Sequence, residues 1–133
     1  MIAAVFVRTL KDGVTFEEFE EAWAADKGYG VPTRVFNAVN VENPREVLSV
    51  GFVAVPGDAM RMMLAEVQEG DQERHDRVDE VIESTELKAM YELGSEHDFT
   101  TDPRSIAMFS GESLFAAFPD LSMEQLTEMY ESP

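Results

Sequence analysis

His75 is the residue whose type and position are best suited to chemistry. With Val78, Val81 and Ile82 it follows helical spacing, which predicts that its imidazole lies on or beside the inward face of a helix. An imidazole there could act as a general base near neutral pH or orient a ligand. Asp79, one turn further on, could hold the ring in one tautomer. The alternative is a structural histidine at the edge of the core, hydrogen-bonded to the same Asp79.

Four polar residues interrupt segments that otherwise predict apolar strands: Arg8, Asn37, Asn40 and Ser49. A buried amide without a partner costs about 1–3 kcal/mol, so such a residue is either hydrogen-bonded within the protein or lines a wet cavity. Asn37 or Asn40 could therefore bind a substrate carbonyl or hydroxyl group, and Arg8 an anionic oxygen. The alternative is that they form hydrogen bonds at a sheet edge or between subunits. Trp23, predicted to pack on the sheet, completes the substrate-binding candidates.

Metal and cofactor chemistry has weaker support in the sequence. Acidic residues surround His75 at spacings that could place several ligands on one helix face: Glu73, Asp76, Asp79 and Glu83. Such a stripe is more typical of a solvated face, and one histidine without cysteine is a poor zinc site. The chain has no cysteine, no glycine-rich phosphate loop and no Ser-His-Asp set. We therefore predict neither a metal site nor a cofactor.

The charge balance restricts the class of partner. The chain of 133 residues has 27 acidic and 10 basic residues and a formal net charge of −17 at pH 7. Nucleic acids and anionic membranes are bound by clustered lysine and arginine, whereas the field of this chain repels both. No segment approaches the ~20 apolar residues of a membrane span, and the N-terminus lacks the pattern of a signal peptide. We therefore expect a soluble, cytoplasmic protein that binds neither nucleic acid nor membrane.

The order of predicted elements is strand, helix, strand, strand, helix, strand. Thr15 to Glu18 form a capping box that begins the first helix, which ends before Gly28. The strands are predicted over about residues 2–9, 33–41, 47–55 and 91–101. The second helix begins after Asp58, is interrupted at Gly70 and Asp71, and continues over about residues 72–83. A last short helical turn from Thr85 carries Leu87, Met90 and Tyr91. This order predicts an α+β domain over residues 1–102 with a ferredoxin-like split βαβ arrangement. Its four-stranded antiparallel sheet would carry both helices on one face.

The third predicted strand is apolar on both of its faces. Val47 and Val53 lie on one face, and Leu48, Val50 and Phe52 lie on the other. Such a strand belongs in the middle of a sheet that is covered on both sides. The helices cover one side only, and a large exposed apolar area is uncommon on a soluble monomer. We therefore predict a homodimer in which two sheets stack into a shared barrel.

Residues 103–133 extend beyond this domain. Leu114, Phe115 and Phe118 make the segment too apolar for a disordered tail. Residues 122–125 form a second capping box, which predicts a further helix. We interpret the extension as an arm that docks on its own subunit or on the partner. The alternative is a segment that folds on binding another protein.

Three stretches of the sequence resemble the dimeric α+β barrel superfamily. They are the opening VFVRTLKDGVTFEEFEEAW, the hairpin around Asn43 to Arg45, and RHDRVDEVIEST followed by YELGSEHDFT. The resemblance covers about residues 1–101 and implies the ferredoxin-like fold and a dimer. The superfamily includes cofactor-independent monooxygenases and isomerases, although the Trp-His pair common in the monooxygenase branch is absent from residues 59–68. We therefore expect a monooxygenase- or isomerase-like enzyme for a small apolar or aromatic molecule, or alternatively a non-catalytic dimeric module that binds a ligand or protein.

Overall fold

The computed structural model describes residues 1–23, 31–62, 75–118, 124, 125 and 128 of the chain. Its strands are β1 (Ile2–Leu10), β2 (Thr33–Asn40), β3 (Asn43–Val53), β4 (Ile82–Glu92), β5 (Glu96–Asp98) and β6 (Arg104–Ile106). Helix α1 spans Phe16–Trp23, and residues 57–62 and 75–79 are also helical. Within this described part, no helix is long and apolar enough to cross a membrane.

Four of the strands form one antiparallel sheet in the order β2-β3-β1-β4. The strands β5 and β6 form a separate antiparallel pair. Strand β3 lies between β1 and β2, as its two apolar faces predict. The architecture confirms an α+β protein with a four-stranded antiparallel sheet, and it is compatible with the predicted ferredoxin-like arrangement.

Helix α1 begins at the predicted capping box. The Glu18 amide donates a hydrogen bond to Thr15 Oγ1 at 3.2 Å, and the Thr15 hydroxyl donates one to the Glu18 carboxylate at 3.3 Å. The first bond satisfies an amide that has no partner within the first turn of the helix. Val14 packs in the same cluster as Phe19, which fixes the angle at which the chain enters the helix. Gly28, predicted to follow the end of this helix, lies outside the described residues.

The buried core lies between the helices and one face of the sheet, and it consists of two clusters. The first joins Phe19 of α1, which is fully buried, to Leu10, Val47, Val78 and Ile82. The second contains Ile2, Val31, Val53, Val55, Ala59 and Met60. Burying one large aliphatic or aromatic side chain completely contributes about 1.5–3 kcal/mol. The two clusters contact β1 at its opposite ends, Ile2 and Leu10.

The fourth strand of the sheet differs from its prediction. Helical spacing predicts a helix up to Glu83, but β4 already begins at Ile82. The edge strand predicted over 91–101 contains only the end of β4 and the short strand β5. Two register shifts between β1 and β4 explain the error, because each extra residue reverses the faces of the side chains that follow. Val78 thus contacts the core from the helical residues 75–79, and Val81 from the turn that follows them.

The sheet face opposite the helices, which we call the outer face, is apolar and partly open. By strand register it carries Val5, Val7, Phe36, Ala38, Leu48, Val50, Phe52, Leu87 and Ala89. Phe36 is 53% exposed, Leu48 37% and Leu87 38%. Phe115 from the C-terminal extension contacts Phe52, with ring centroids 4.9 Å apart. The extension therefore covers one end of the outer face on its own subunit and leaves Phe36, Leu48 and Leu87 exposed.

A carboxylate holds the segment that carries Phe115. Glu96 of β5 accepts hydrogen bonds from the Ser113 hydroxyl at 2.6 Å and from the Leu114 amide at 3.0 Å. These bonds position the turn immediately before Phe115. Of the helix predicted from residue 122, the structure describes Glu124, Gln125 and Glu128, which are helical, and the remaining positions lie outside the described residues.

The β5–β6 hairpin should lose stability in acid. Hydrogen bonds from the Thr100 hydroxyl and amide, and then the Arg104 guanidinium, hold the pKa of Asp98 below its ordinary value of 3.8. A folded-state pKa below the unfolded value stabilises the fold above the unfolded pKa and loses this effect as the pH falls through the folded one. We expect the protection of the hairpin amides, relative to exchange in the unfolded chain at the same pH, to fall below about pH 4. Asp98→Asn should raise amide exchange in the hairpin at neutral pH and weaken this pH dependence. Asp102→Asn, at an exposed neighbour, should change neither. If D98N leaves exchange in the hairpin unchanged, the hydrogen bonds of Asp98 do not stabilise it.

Candidate functional site: a cavity between sheet and helices

A cavity lies between the sheet and the helices, in the space between the two core clusters. On β1 the residues between Ile2 and Leu10 that share their face are Ala4, Phe6 and Arg8, and all three line it. The other described lining residues are Trp23, Val31, Thr33, Val35, Ser49, Gly51, Val53, Met60, His75, Val78 and Met90. Water-sized molecules can occupy about 70 Å³ of this space. One water needs about 10–15 Å³ by this measure, so several waters or a small organic molecule fit.

Polar side chains from three neighbouring strands meet on the sheet side of the cavity. Arg8 is 4% exposed and Ser49 2%, while Asn37 is half-buried. The Ser49 hydroxyl donates a hydrogen bond to Asn37 Oδ1 at 2.6 Å. Arg8 Nη1 lies 3.5 Å from Ser49 Oγ, at the long limit for a hydrogen bond. The structure therefore joins two predicted binding residues, Arg8 and Asn37, through a serine.

The Phe6 ring lies next to Arg8 and His75, the two ionisable side chains among the described residues that line the cavity. The Arg8 guanidinium carbon is 4.5 Å from the ring centroid, a cation–π distance. The His75 ring centroid is 5.7 Å from that of Phe6. A histidine base and a fixed cation are thus within reach of one small molecule bound against Phe6. Such a pair can move a proton and bind an oxygen on the same ligand.

Apolar side chains form most of the remaining wall. Trp23, the last residue of α1, is half-buried and lines the helix side together with Met60 and Val78. On the sheet side, the wall includes Gly51. A Cβ atom at Gly51 would meet only Val35 Cγ2, at 3.5 Å, so a side chain can begin there without a clash at Cβ. A small apolar or aromatic molecule matches this lining.

The structure brings together four of the six predicted site residues and places two elsewhere. Arg8, Trp23 and His75 line the cavity, and Asn37 adjoins it through Ser49. Asn40 is the exposed last residue of β2, and its side-chain Oδ1 accepts a hydrogen bond from the Glu42 amide in the β2–β3 turn. Asp79 is exposed and is not among the described residues that line the cavity. Their predicted roles as substrate ligand and as partner of His75 have no geometric support here.

Sequence reasoning noticed Ser49 but assigned it no role, and it missed Phe6. A serine in the middle of a strand that is apolar on both faces was the available signal for the first. The signal for Phe6 was its position two residues before Arg8, which puts both side chains on one face of β1. Met90 was missed because its strand was predicted as a short helical turn.

Charge is distributed unevenly between the cavity and the surface. Among the described lining residues the ionisable ones are Arg8 and His75, and none is a carboxylate. The pKa shifts of Glu86, Asp98 and Arg104 arise from hydrogen bonds and ion pairs outside the cavity. In the described part of the chain, no group of three or more His, Asp or Glu residues could hold a metal ion. The described lining thus places Arg8 and His75 within a mostly apolar wall.

Comparison with known proteins adds neither a family nor a relative. The chain matches no protein-family model, no curated protein and no solved structure. Its architecture is therefore defined by its own strands and helices. What the cavity can do follows from the chemistry of Arg8, Ser49 and His75 around the Phe6 ring.

Proposed function

We propose that this protein binds a small apolar or aromatic molecule in the sheet–helix cavity and acts on it as a cofactor-independent enzyme of the monooxygenase or isomerase type. The single observation that carries the proposal is the placement of His75 and Arg8 beside the same aromatic ring, Phe6. Enclosed apolar sites with a few convergent polar groups are the usual form of small-molecule sites. The proposal thus assigns to the cavity both binding and catalysis.

Each proposed role follows from position. His75 would take a proton from the ligand as general base and return it to a different atom, which completes an isomerisation without any added oxidant. Arg8 and Ser49 would hold the oxygen on which negative charge develops, in a site where apolar walls exclude most water. Trp23 and Phe6 would orient the flat body of the ligand. Asn37 would position the Ser49 hydroxyl, to which it is hydrogen-bonded.

Filling the cavity should abolish ligand binding and leave the fold intact. In Gly51→Leu the new side chain would occupy the space beside Val35. We expect the affinity for small aromatic molecules to fall at least about tenfold, while the melting temperature stays equal or rises because a cavity is filled. Trp23 is the only tryptophan of the chain and lines the cavity, so its fluorescence reports binding at this site.

Gly111→Leu is the matched control for this experiment, because a Cβ atom there meets nothing within 4 Å and the residue is exposed. It should bind the same aromatic molecules as the unchanged protein. If G51L binds these molecules as tightly as the unchanged protein and keeps its melting temperature, the binding site does not lie in the cavity. The proposal then fails.

A second candidate function is supported by the outer face. Phe36, Leu48 and Leu87 remain exposed there even though Phe115 covers the neighbouring Phe52. We propose that two copies stack these faces in a homodimer, which serves as a non-catalytic module for ligand or protein binding. The net charge of −17 on each subunit opposes this association at low ionic strength. The buried apolar area must therefore outweigh the repulsion, and added salt should strengthen the dimer.

A further inference from the structure

A glycine lies in the middle of β3 at a position where the backbone does not require one. Gly51 is buried, and its backbone lies outside the left-handed region that favours glycine. Among the described residues, a Cβ atom there would meet Val35 Cγ2 at 3.5 Å, an ordinary van der Waals distance. Glycine inside a strand weakens it and often marks a place where a ligand approaches the backbone. The fold alone therefore does not explain Gly51.

The residue that pairs with Gly51 on the next strand is also small. Strand register places Gly51 opposite Ala4 of β1, and β1 and β3 are the two central strands of the sheet. Val35 of β2 flanks Gly51, and Met90 of β4 flanks Ala4. All four residues line the cavity. Gly51 and Ala4 thus form a strip of nearly bare backbone in the middle of the sheet, which we call the floor of the cavity.

Larger side chains bound the floor. Neighbouring strands are about 4.8 Å apart, and residues on one face of a strand are about 6.7 Å apart. Val35 and Met90 bound the floor across the strands, and Phe6 bounds it along β1, two residues beyond Ala4. The floor therefore has about the width of one six-membered ring. A ring on it would lie beside Phe6, whose own ring centroid is 5.7 Å from that of His75.

We infer that Gly51 and Ala4 are specificity-determining residues, and that they select a ligand with one flat six-membered ring, which lies with its face on the floor. This inference rests on the proposed function, since it names the class of molecule that the same cavity takes and the residues that select it. Two fused rings would overlap with Val35 or Met90, and forcing extra atoms into a packed site is unfavourable. The strand loses stability at Gly51, and the cavity gains space for the ring.

Gly51→Ala tests the floor, because one added methyl group should raise stability and lower affinity together. Alanine fits the backbone of Gly51 and reduces the freedom of the unfolded chain, so we expect the melting temperature to rise by about 2–5 °C. The same methyl group occupies the floor. We therefore expect the affinity for phenol, measured by calorimetric titration of the intact protein, to fall about tenfold. A lower melting temperature would show that the fold requires this glycine and would overturn the inference.

Val35→Ala tests the floor in the opposite direction, because it removes the side chain nearest to Gly51. The unchanged protein should bind phenol at least about tenfold more tightly than 2-naphthol, which carries the same hydroxyl group on two fused rings. V35A should bind 2-naphthol at least about tenfold more tightly than the unchanged protein does. The double variant with Gly51→Ala and Val35→Ala should recover the binding of phenol. Such gains of affinity do not arise from a damaged fold.

Gly94→Ala is the matched control, because it adds the same methyl group at an exposed glycine that is not among the described residues lining this cavity. It should leave both affinities unchanged. If phenol and 2-naphthol bind the unchanged protein equally, or G51A binds phenol as tightly as before, while Gly51→Leu still blocks both compounds, the floor does not select ligand size and the proposed cavity function stands. If neither phenol nor any other small aromatic molecule binds at millimolar concentration, both the inference and the proposed function fail.

Discussion

His75→Gln is expected to lower turnover of any substrate of this protein by about 10²- to 10⁴-fold, the usual contribution of a positioned general base. Glutamine keeps hydrogen-bonding capacity and a similar length, but it does not accept a proton at neutral pH. Since His75 lines the cavity 5.7 Å from Phe6, its loss should affect the chemical step more than binding. We therefore expect kcat to fall while KM changes little. Steady-state kinetics on a substrate found through the Trp23 fluorescence screen measures both.

His97→Gln provides the matched control, because the chain has two histidines and His97 lies in the exposed β5–β6 hairpin. Its turnover should equal that of the unchanged protein. If H75Q keeps more than about half of the original kcat while the substrate still binds in the cavity, His75 is not the general base. The non-catalytic binding module would then be the better description.

Leu48→Glu is expected to convert the proposed dimer into a monomer. Leu48 lies near the middle of the outer face, on the central strand β3, and it is 37% exposed in the single subunit. In a two-fold dimer that stacks these faces, the substitution would bury a carboxylate from each subunit in an apolar interface. Burying an unpaired charge costs several kcal/mol, so the dimer Kd should rise about 100-fold or more. Sedimentation at micromolar concentration measures the change.

The subunit itself should tolerate this substitution, because most changes at exposed positions alter the free energy of unfolding by less than about 0.5 kcal/mol. Val41→Glu, at a fully exposed residue of the β2–β3 turn, adds the same charge away from the outer face and should leave the dimer intact. A well-folded monomer of the unchanged protein at micromolar concentration, at both low and high salt, would contradict the stacked arrangement. The Phe115 segment would then be sufficient cover for the sheet.

The central elements of the fold were predictable because their signals are local. Thr15 and Glu18 mark the start of α1, and the two apolar faces of β3 mark a central strand. Strand β4 was not predictable in the same way, because its register shifts against β1 break the alternation of its side chains. Its outward residues, such as Leu87, are also left exposed by the single subunit and lack a clear burial pattern.

The candidate site was predictable in its residue types more than in its connections. Arg8 and His75 are unusual residues for an apolar strand and an inward helix face, and both line the cavity. Asp79 lies one helical turn after His75, as the spacing predicts, but it is exposed and is not among the described residues that line the cavity. Asn40 ends β2 after a register shift against β3, and spacing along the strand does not reveal that shift.

The central claim, that the cavity between sheet and helices is the ligand site, is tested most directly by a crystal structure of the protein grown with a small aromatic molecule that changes Trp23 fluorescence. We expect one such molecule between Trp23 and Phe6, within reach of His75. A cavity closed by its own side chains, with the molecule bound only on the outer face or at lattice contacts, would contradict the claim.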